Sequence, residues 1–255
     1  MIVALTREPV RSLDACELTY MEREPIDAAV AAAQHRGYRG ALEACGARVV
    51  TLPPAEEFPD SVFVEDAAIV LDEVAVLTRP AGESRRGEVG LLEPEVARLR
   101  PVVRVEPPAT LEGGDVLRLG RALYVGLSPR TNAEGADALR RLAAPHGYEV
   151  VVVEPRGCLH LKTGCSALDE ETVIVNPEWV DAAAFRGREV LPVDAAEPWA
   201  ANVLRVGGSV CVSAAFPRTA DALAARGFDV RAVEVSEFAK AEGGLTCLSL
   251  LFRQP

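Results

Sequence analysis

Cys247 follows a pair of glycines in the run Glu242-Gly243-Gly244-Leu245-Thr246-Cys247-Leu248-Ser249-Leu250. Glycine lacks a Cβ, so the backbone there can turn tightly and approach a ligand closely. A thiol presented in this way is a candidate nucleophile once it has lost its proton, which an unperturbed cysteine does near pH ~8.5. Two other settings supply what such a nucleophile needs. His160 stands between leucines in Leu159-His160-Leu161-Lys162, and Glu112 and Asp115 bracket a second glycine pair in Glu112-Gly113-Gly114-Asp115. Imidazole titrates near neutrality and suits general acid–base work. A thiol, an imidazole and a carboxylate, distant in sequence and brought together by folding, are the components of covalent catalysis.

Further carboxylates crowd one short stretch, at Asp60, Glu65 and Asp66. With Glu112 and Asp115 they make an acidic excess. A planar guanidinium presents N–H donors along its edges, and two carboxylates match it. A hard metal ion is the rival occupant, but the acids do not follow the spacing of a calcium loop. Arg85, Arg86 and Arg130 follow stretches that read as strands, and two arginines can clamp a carboxylate bidentately. A site acidic at one end and basic at the other is complementary to an amino acid with a guanidinium side chain. Cys158, His160 and Cys165 offer a zinc reading, but their spacing matches no usual structural zinc pattern and lacks a fourth ligand. No metal is expected. His35, on an amphipathic helical pattern, and His146, at a helix end, are expected at the surface, and the other five cysteines as packing residues.

These residues sit at equivalent places in a repeat. The segments 67–80, 116–129, 166–177 and 202–217 each read as two β-rich runs joined by a short polar or glycine turn, the signature of a hairpin. A helical pattern follows each, at 86–98, 131–144, 178–186 and 218–227. A further strand follows each helix, at 102–105, 149–153, 189–191 and 229–235. Thr131-Asn132 and Arg218-Thr219 read as helix starts. A fifth copy at the N-terminus fits less neatly, with a strand at 2–5, a helix at 25–45 and a strand at 48–52. Such a unit cannot bury its sheet face alone, and periods in this range point to a radial or solenoid array. The expected architecture is an α/β ring of about five ββαβ modules within a single catalytic domain over 1–255. The candidate residues lie in the runs that lead into the hairpins, so closure of the ring would bring them to one central mouth.

The composition agrees. Of the 255 residues 49% are hydrophobic, enough for a sizeable core and too many for a disordered chain. A net charge of −11 argues against nucleic acid or an anionic membrane as partner. No apolar run reaches the ~18 residues of a membrane span, and the first residues read as a strand rather than a secretory signal. Six cysteines without CxxC spacing suit free thiols in a reducing cytoplasm.

Taken together, Phe58-Pro59-Asp60-Ser61-Val62-Phe63-Val64-Glu65-Asp66, Thr78-Arg79-Pro80 with Glu83-Ser84-Arg85-Arg86-Gly87-Glu88, Leu111-Glu112-Gly113-Gly114-Asp115-Val116, Arg130-Thr131-Asn132-Ala133-Glu134-Gly135, Leu159-His160-Leu161-Lys162, Ala200-Ala201-Asn202 and Gly244-Leu245-Thr246-Cys247 resemble the dimethylarginine dimethylaminohydrolases. These belong to the guanidino-modifying enzymes, with arginine deiminases and amidinotransferases. The blocks run in order over nearly the whole length. The resemblance implies a five-bladed ββαβ propeller with pseudo-fivefold symmetry, the pentein fold. It implies that Cys247 attacks the guanidinium carbon of a methylated arginine, that His160 protonates the leaving amine and then activates water, and that citrulline is formed through a covalent thiouronium. Glu112 and Asp66 would hold the guanidinium, with Glu65 among the substrate-binding acids. Asp60 and the backbone carbonyl of Leu18 would take the α-amino group, and Arg85 and Arg130 the α-carboxylate. Residues 13–25 would form a lid. No cofactor is implied, and a homodimer is expected by analogy. The alternative within the same group is an arginine deiminase-like hydrolase, although deiminases typically carry an inserted helical domain for which 255 residues leave no room.

Overall fold

The repeat resolves into five three-stranded sheets of one topology. A computed structural model, which describes residues 1–254, places β1 (Ile2–Arg7), β2 (Ala47–Leu52), β3 (Ala68–Val70), β4 (Ala75–Leu77), β5 (Val102–Arg104), β6 (Val116–Leu119), β7 (Ala122–Gly126), β8 (Glu149–Val153), β9 (Cys165–Ala167), β10 (Thr172–Val175), β11 (Glu189–Pro192), β12 (Leu204–Val206), β13 (Ser209–Ser213), β14 (Asp229–Val233) and β15 (Leu250–Arg253). The helices are α1 (Ala28–Ala44), α2 (Arg86–Leu99), α3 (Ala133–Ala143), α4 (Leu161–Gly164), α5 (Pro217–Ala225) and α6 (Ser236–Ala239). The sheets are β3-β4-β5, β6-β7-β8, β9-β10-β11, β12-β13-β14 and β15-β1-β2. In each, the first two strands are antiparallel and the third is parallel to the second. A parallel return needs a crossover connection, and α1, α2, α3 and α5 provide it in four of the sheets, a 3₁₀ turn in the fifth. The last sheet joins the two ends of the chain: β15 pairs with β1 in the register Ile2↔Arg253 to Leu5↔Leu250.

Helix α1 shows why these crossovers bury one face. Its buried residues Ala31, Gln34, His35, Tyr38 and Leu42 recur at three- and four-residue steps and form a stripe. Asp27 caps it by accepting the N–H groups of Ala29 and Val30, so the helix begins at residue 28 rather than 25. Asn132 caps α3 in the same way through Gly135 N–H, as expected.

Three expectations need correction. The helix expected over 178–186 is only a 3₁₀ turn, Ala182–Phe185. The Asn176 carbonyl takes the N–H groups of Trp179 and Val180 in a turn after Pro177, and Gly187 (φ 81°) ends the stretch before an α-helix can develop. Helix α5 begins at Pro217, and Arg218 and Thr219 do not cap it; their N–H groups donate to the carboxylate of Glu197, just ahead of β12 in the same module. His35 is buried against Tyr38 and Phe238, not exposed. Burial, with Arg39 nearby, pushes its pKa down to about 4, so the ring is neutral at pH 7.

Candidate active site

In every module a short helical turn leads into the first strand of the hairpin: Val64–Ala67, Gly113–Asp115, Leu161–Gly164, Pro198–Ala201 and Thr246–Leu248. Glu65, Asp66, Glu112, Asp115, His160 and Cys247 lie on or beside these turns, which meet at the centre of the ring. Their closeness depends on glycine. A Cβ on Gly113 would come within 1.9 Å of the Glu65 carbonyl oxygen, and one on Gly114 within 2.6 Å of His160 Nδ1. The turns also bond to one another. Gly114 N–H donates to Asp66 Oδ1 (3.0 Å), and Leu161 N–H donates to Asp115 Oδ1 (2.9 Å).

Cys247, His160, Asp60, Asp66, Arg85 and Arg130 line one cavity. Glu112 is fully buried behind the imidazole, its Oε2 lying 2.8 Å from His160 Nε2. Burial alone would lower the His160 pKa, but Asp66, Asp115 and Glu112 outweigh it and hold the ring up at about 9. Burial also opposes ionisation of Asp66, yet His160 and Arg85 hold it well below the usual carboxylate range. The thiol of Cys247 is pushed up to about 12 by burial and by the carboxylates of Glu65 and Asp66, against a Gly244 N–H that donates to its sulfur (3.4 Å). At pH 7 the resting pair is therefore thiol and imidazolium.

The two cavity arginines differ. Arg85 is committed within the protein: Nη1 lies 2.8 Å from Asp66 Oδ2, and Nε and Nη2 grip the Glu88 carboxylate at 3.2 and 2.9 Å. Arg130 faces the segment 13–25, the expected lid, with Nη1 2.8 Å from Glu17 Oε2 and Nη2 donating to Thr19 Oγ1 (3.2 Å). Glu17 also takes the Ser84 hydroxyl and gives its backbone N–H to the Asp60 carboxylate (3.1 and 3.3 Å). Further along the lid, the N–H groups of Thr19, Tyr20 and Met21 all donate to Glu242. The free space left between these groups is about 20 Å³, room for about one water molecule.

One sequence candidate lies elsewhere. Glu65 does not line this cavity. It lies at a larger one of about 600 Å³, where its carboxylate takes Lys162 Nζ (2.5 Å) and Thr246 Oγ1 (2.7 Å). Leu18 is in the lid between Glu17 and Thr19, with its side chain packed on the apolar cluster around Tyr38 and Phe238. Cys158 and Cys165 turn away from His160, each Sγ donating to a backbone carbonyl (His160 and Leu161, both 3.4 Å). Among the described residues, Asp66, Glu112 and His160 offer three metal-ligating atoms within 4.8 Å of one another. The guanidinium of Arg85 stands 4.0 Å from Glu112 Oε2, and that of Arg130 3.9 Å from Oε1. Fixed cations this close already balance the carboxylates and oppose a divalent ion. Sequence reasoning gave no role to Glu17, or to Glu88, Asn202 and Glu242, which stand in the runs quoted above. Only Glu88 left a local trace, three residues after Arg85 on a helical pattern.

The five-module ring, with a thiol and an imidazole at its mouth between acids and arginines, defines an enzyme of the pentein fold acting on guanidino compounds. A family model described as "N,N dimethylarginine dimethylhydrolase, eukaryotic" matches residues 12–193. The N(G),N(G)-dimethylarginine dimethylaminohydrolase of Pseudomonas aeruginosa is 40% identical over 250 residues, covering 97% of this chain and 98% of that protein. That of Streptomyces coelicolor is 43% identical over 253 residues, covering 98% and 97%. A crystallised cysteine-to-serine mutant of the Pseudomonas enzyme, complexed with citrulline, superposes with a TM-score of 0.94 at 39% identity, covering 98% of both chains. The chain belongs to the dimethylarginine dimethylaminohydrolase family.

Proposed function

We propose that this protein hydrolyses Nω-methylated arginine, dimethylarginine or monomethylarginine, to citrulline and the corresponding methylamine, with Cys247 as nucleophile. The observation that carries the reading is the single cavity lined by Cys247 and His160 between the carboxylates of Asp60 and Asp66 and the guanidinium of Arg130.

The charges set the order of events. The substrate guanidinium settles against Asp66 beside the sulfur. Its positive charge offsets the carboxylates that hold the thiol up, so the proton leaves to solvent and thiolate forms when substrate arrives. The thiolate attacks the guanidinium carbon, forming the C–S bond. His160, already protonated, gives its proton to the methylated nitrogen as that C–N bond breaks. The neutral imidazole then takes a proton from water as its oxygen bonds to the thiouronium carbon. The C–S bond breaks as the added oxygen gives up its remaining proton to solvent and becomes the citrulline carbonyl; thiolate returns, and one water has been consumed. Glu112 orients the imidazole through its 2.8 Å contact rather than gripping the guanidinium. Asp60 and the Leu18 carbonyl take the α-amino group. Arg130 takes the α-carboxylate, and Arg85 chiefly fixes Asp66.

We also propose that the ring acts as one catalytic domain in a reducing cytoplasm, a reading supported by six free cysteines, and that it assembles as a homodimer, which light scattering on purified protein would test. Among the described residues no helix is long and apolar enough to cross a membrane. The decisive assay offers purified protein dimethylarginine, monomethylarginine and arginine side by side, without added metal, and measures citrulline. Citrulline from the methylated substrates, lost in Cys247→Ser, supports the reading. Preference for arginine would move the protein to the deiminases, and full activity in Cys247→Ser would overturn the mechanism.

A further inference from the structure

Four of the five lead-in turns carry a titratable group or the nucleophile: Glu65 and Asp66, Asp115, Lys162, and Cys247. The fourth, Pro198–Ala201, carries none, yet its module lies between the one that holds His160 and the one that holds Cys247. What it contributes is the residue that ends it, Asn202.

The side-chain amide of Asn202 is engaged on both sides. Its Oδ1 accepts the backbone N–H of Thr246 (3.2 Å), the residue before the nucleophile. Its Nδ2 donates to Thr246 Oγ1 (3.1 Å) and to the backbone carbonyl of Lys162 (2.9 Å), two residues after the imidazole. The same amide packs on Gly244, where a Cβ would come within 2.4 Å of Oδ1, and Gly244 N–H is the group that donates to the Cys247 sulfur. The contacts close a circuit: Lys162 donates to Glu65, Thr246 donates to Glu65, and Asn202 joins Thr246 back to Lys162. A planar amide with one acceptor and two donors satisfies both turns at once. Asn202 does not line the catalytic cavity.

We propose that Asn202 is a positioning residue that sets the placement of the thiol-bearing turn against the imidazole-bearing turn. It acts through Thr246, Gly244 and Lys162 without touching the substrate. The inference rests on the proposed roles of Cys247 and His160. Because a misplacement of ~1 Å between reacting groups can cost on the order of a hundredfold in rate, loss of the bracket acts on kcat.

The test compares wild-type protein with Asn202→Ala and the near-isosteric Asn202→Asp, which keeps the acceptor for Thr246 N–H and loses the donors. In Asn202→Ala, kcat for dimethylarginine falls by about a hundredfold while KM stays close to that of the wild type; Asn202→Asp lies between the two. Alkylation of Cys247 by iodoacetamide, followed against pH without substrate, separates positioning from general loss of structure. Its midpoint moves up in Asn202→Ala, because the N–H that favours the thiolate is no longer held on the sulfur. Should Asn202→Ala fail to fold, the Asp variant carries the same comparison. Unchanged kcat in both variants, a rise in KM in place of a fall in kcat, or an unmoved alkylation midpoint would each overturn the proposal. If wild-type protein released no citrulline, the functional reading would fail, and the alkylation profiles would still decide the role of Asn202.

Discussion

Glu17 and Arg130 form an ion pair at 2.8 Å inside the cavity, and the backbone N–H of the same Glu17 rests on Asp60. The lid thus offers a carboxylate and an N–H to the two groups proposed to receive the carboxylate and amino group of an amino acid. Burial would raise the Glu17 pKa, but Ser84 and Arg130 outweigh it and lower it, so the carboxylate is charged at neutral pH. Substrate must displace it. Glu17→Gln is therefore expected to lower KM for dimethylarginine by about fivefold, the equivalent of roughly 1 kcal/mol for a partly exposed pair. A KM that rises instead would mean that Glu17 helps to hold substrate.

The lid has a second anchor at Glu242, the one residue other than glycine with positive φ (56°) among those described. Such a backbone suits glycine better than a residue with a Cβ. Glu242→Gly thus removes the acceptor for Thr19, Tyr20 and Met21 without straining the chain. Trypsin cleavage after the exposed Arg23 of substrate-free protein is expected to accelerate as the lid opens more often. Cleavage at the wild-type rate would show that other contacts hold the lid.

The pH dependence follows from His160. In its proposed role as the acid that protonates the leaving amine it would work protonated, so kcat/KM is expected to fall as pH rises through about 9. Glu112→Gln removes one of the charges that hold the ring up, which shifts this limb toward the ordinary value of 6.5 and lowers kcat. Stability has the same sign. A folded pKa above the unfolded one contributes stability that is complete below 6.5 and lost as pH rises through about 9. The thermal midpoint of the wild type should decline across that window, and that of Glu112→Gln should decline less. Identical alkaline limbs in the two proteins would rule out Glu112 as the partner of the imidazole.

Arg85 and Arg130 separate stability from binding. Removing Arg85 leaves the buried carboxylates of Asp66 and Glu88 unpaired, and breaking a buried pair costs about 3–5 kcal/mol. Arg85→Ala should lower the denaturation midpoint strongly. Arg130→Ala, whose hydrogen-bonded partner Glu17 is one-third exposed and whose approach to the buried Glu112 is longer (3.9 Å), should raise KM and cost less stability than Arg85→Ala. Equal losses of stability in the two variants would contradict this division.

The ring was legible in the sequence because its hairpins repeat, and repetition survives uncertainty about any single strand. The meeting of Cys247 with His160 followed from their equivalent places ahead of those hairpins. Glu65 was not so legible. It neighbours Asp66, and adjacent residues on one turn point to different sides, so composition could not tell which acid faces the substrate and which faces Lys162. His35 misled because its pattern marked an amphipathic helix without saying which stripe lay inward. Glu17, Glu242 and Asn202 act across modules, through backbone groups that leave no mark on local patterning. The short turn at Ala182–Phe185 shows the reverse limit: an apolar stretch long enough to suggest a helix was cut short by an Asn176 turn at one end and a glycine at the other.

The seam between β15 and β1 bears on how the ring closes during folding. Cys247 lies three residues before β15, so its turn is fixed in place by a strand whose partner, β1, is about 245 residues earlier in the chain. Until that pairing forms, the turn that carries the thiol has no sheet to hold it against the turn that carries the imidazole. Pairing between opposite ends of a chain is slow to form, so the seam is also the place where a partly folded chain would most readily take the edge strand of a neighbour instead of its own.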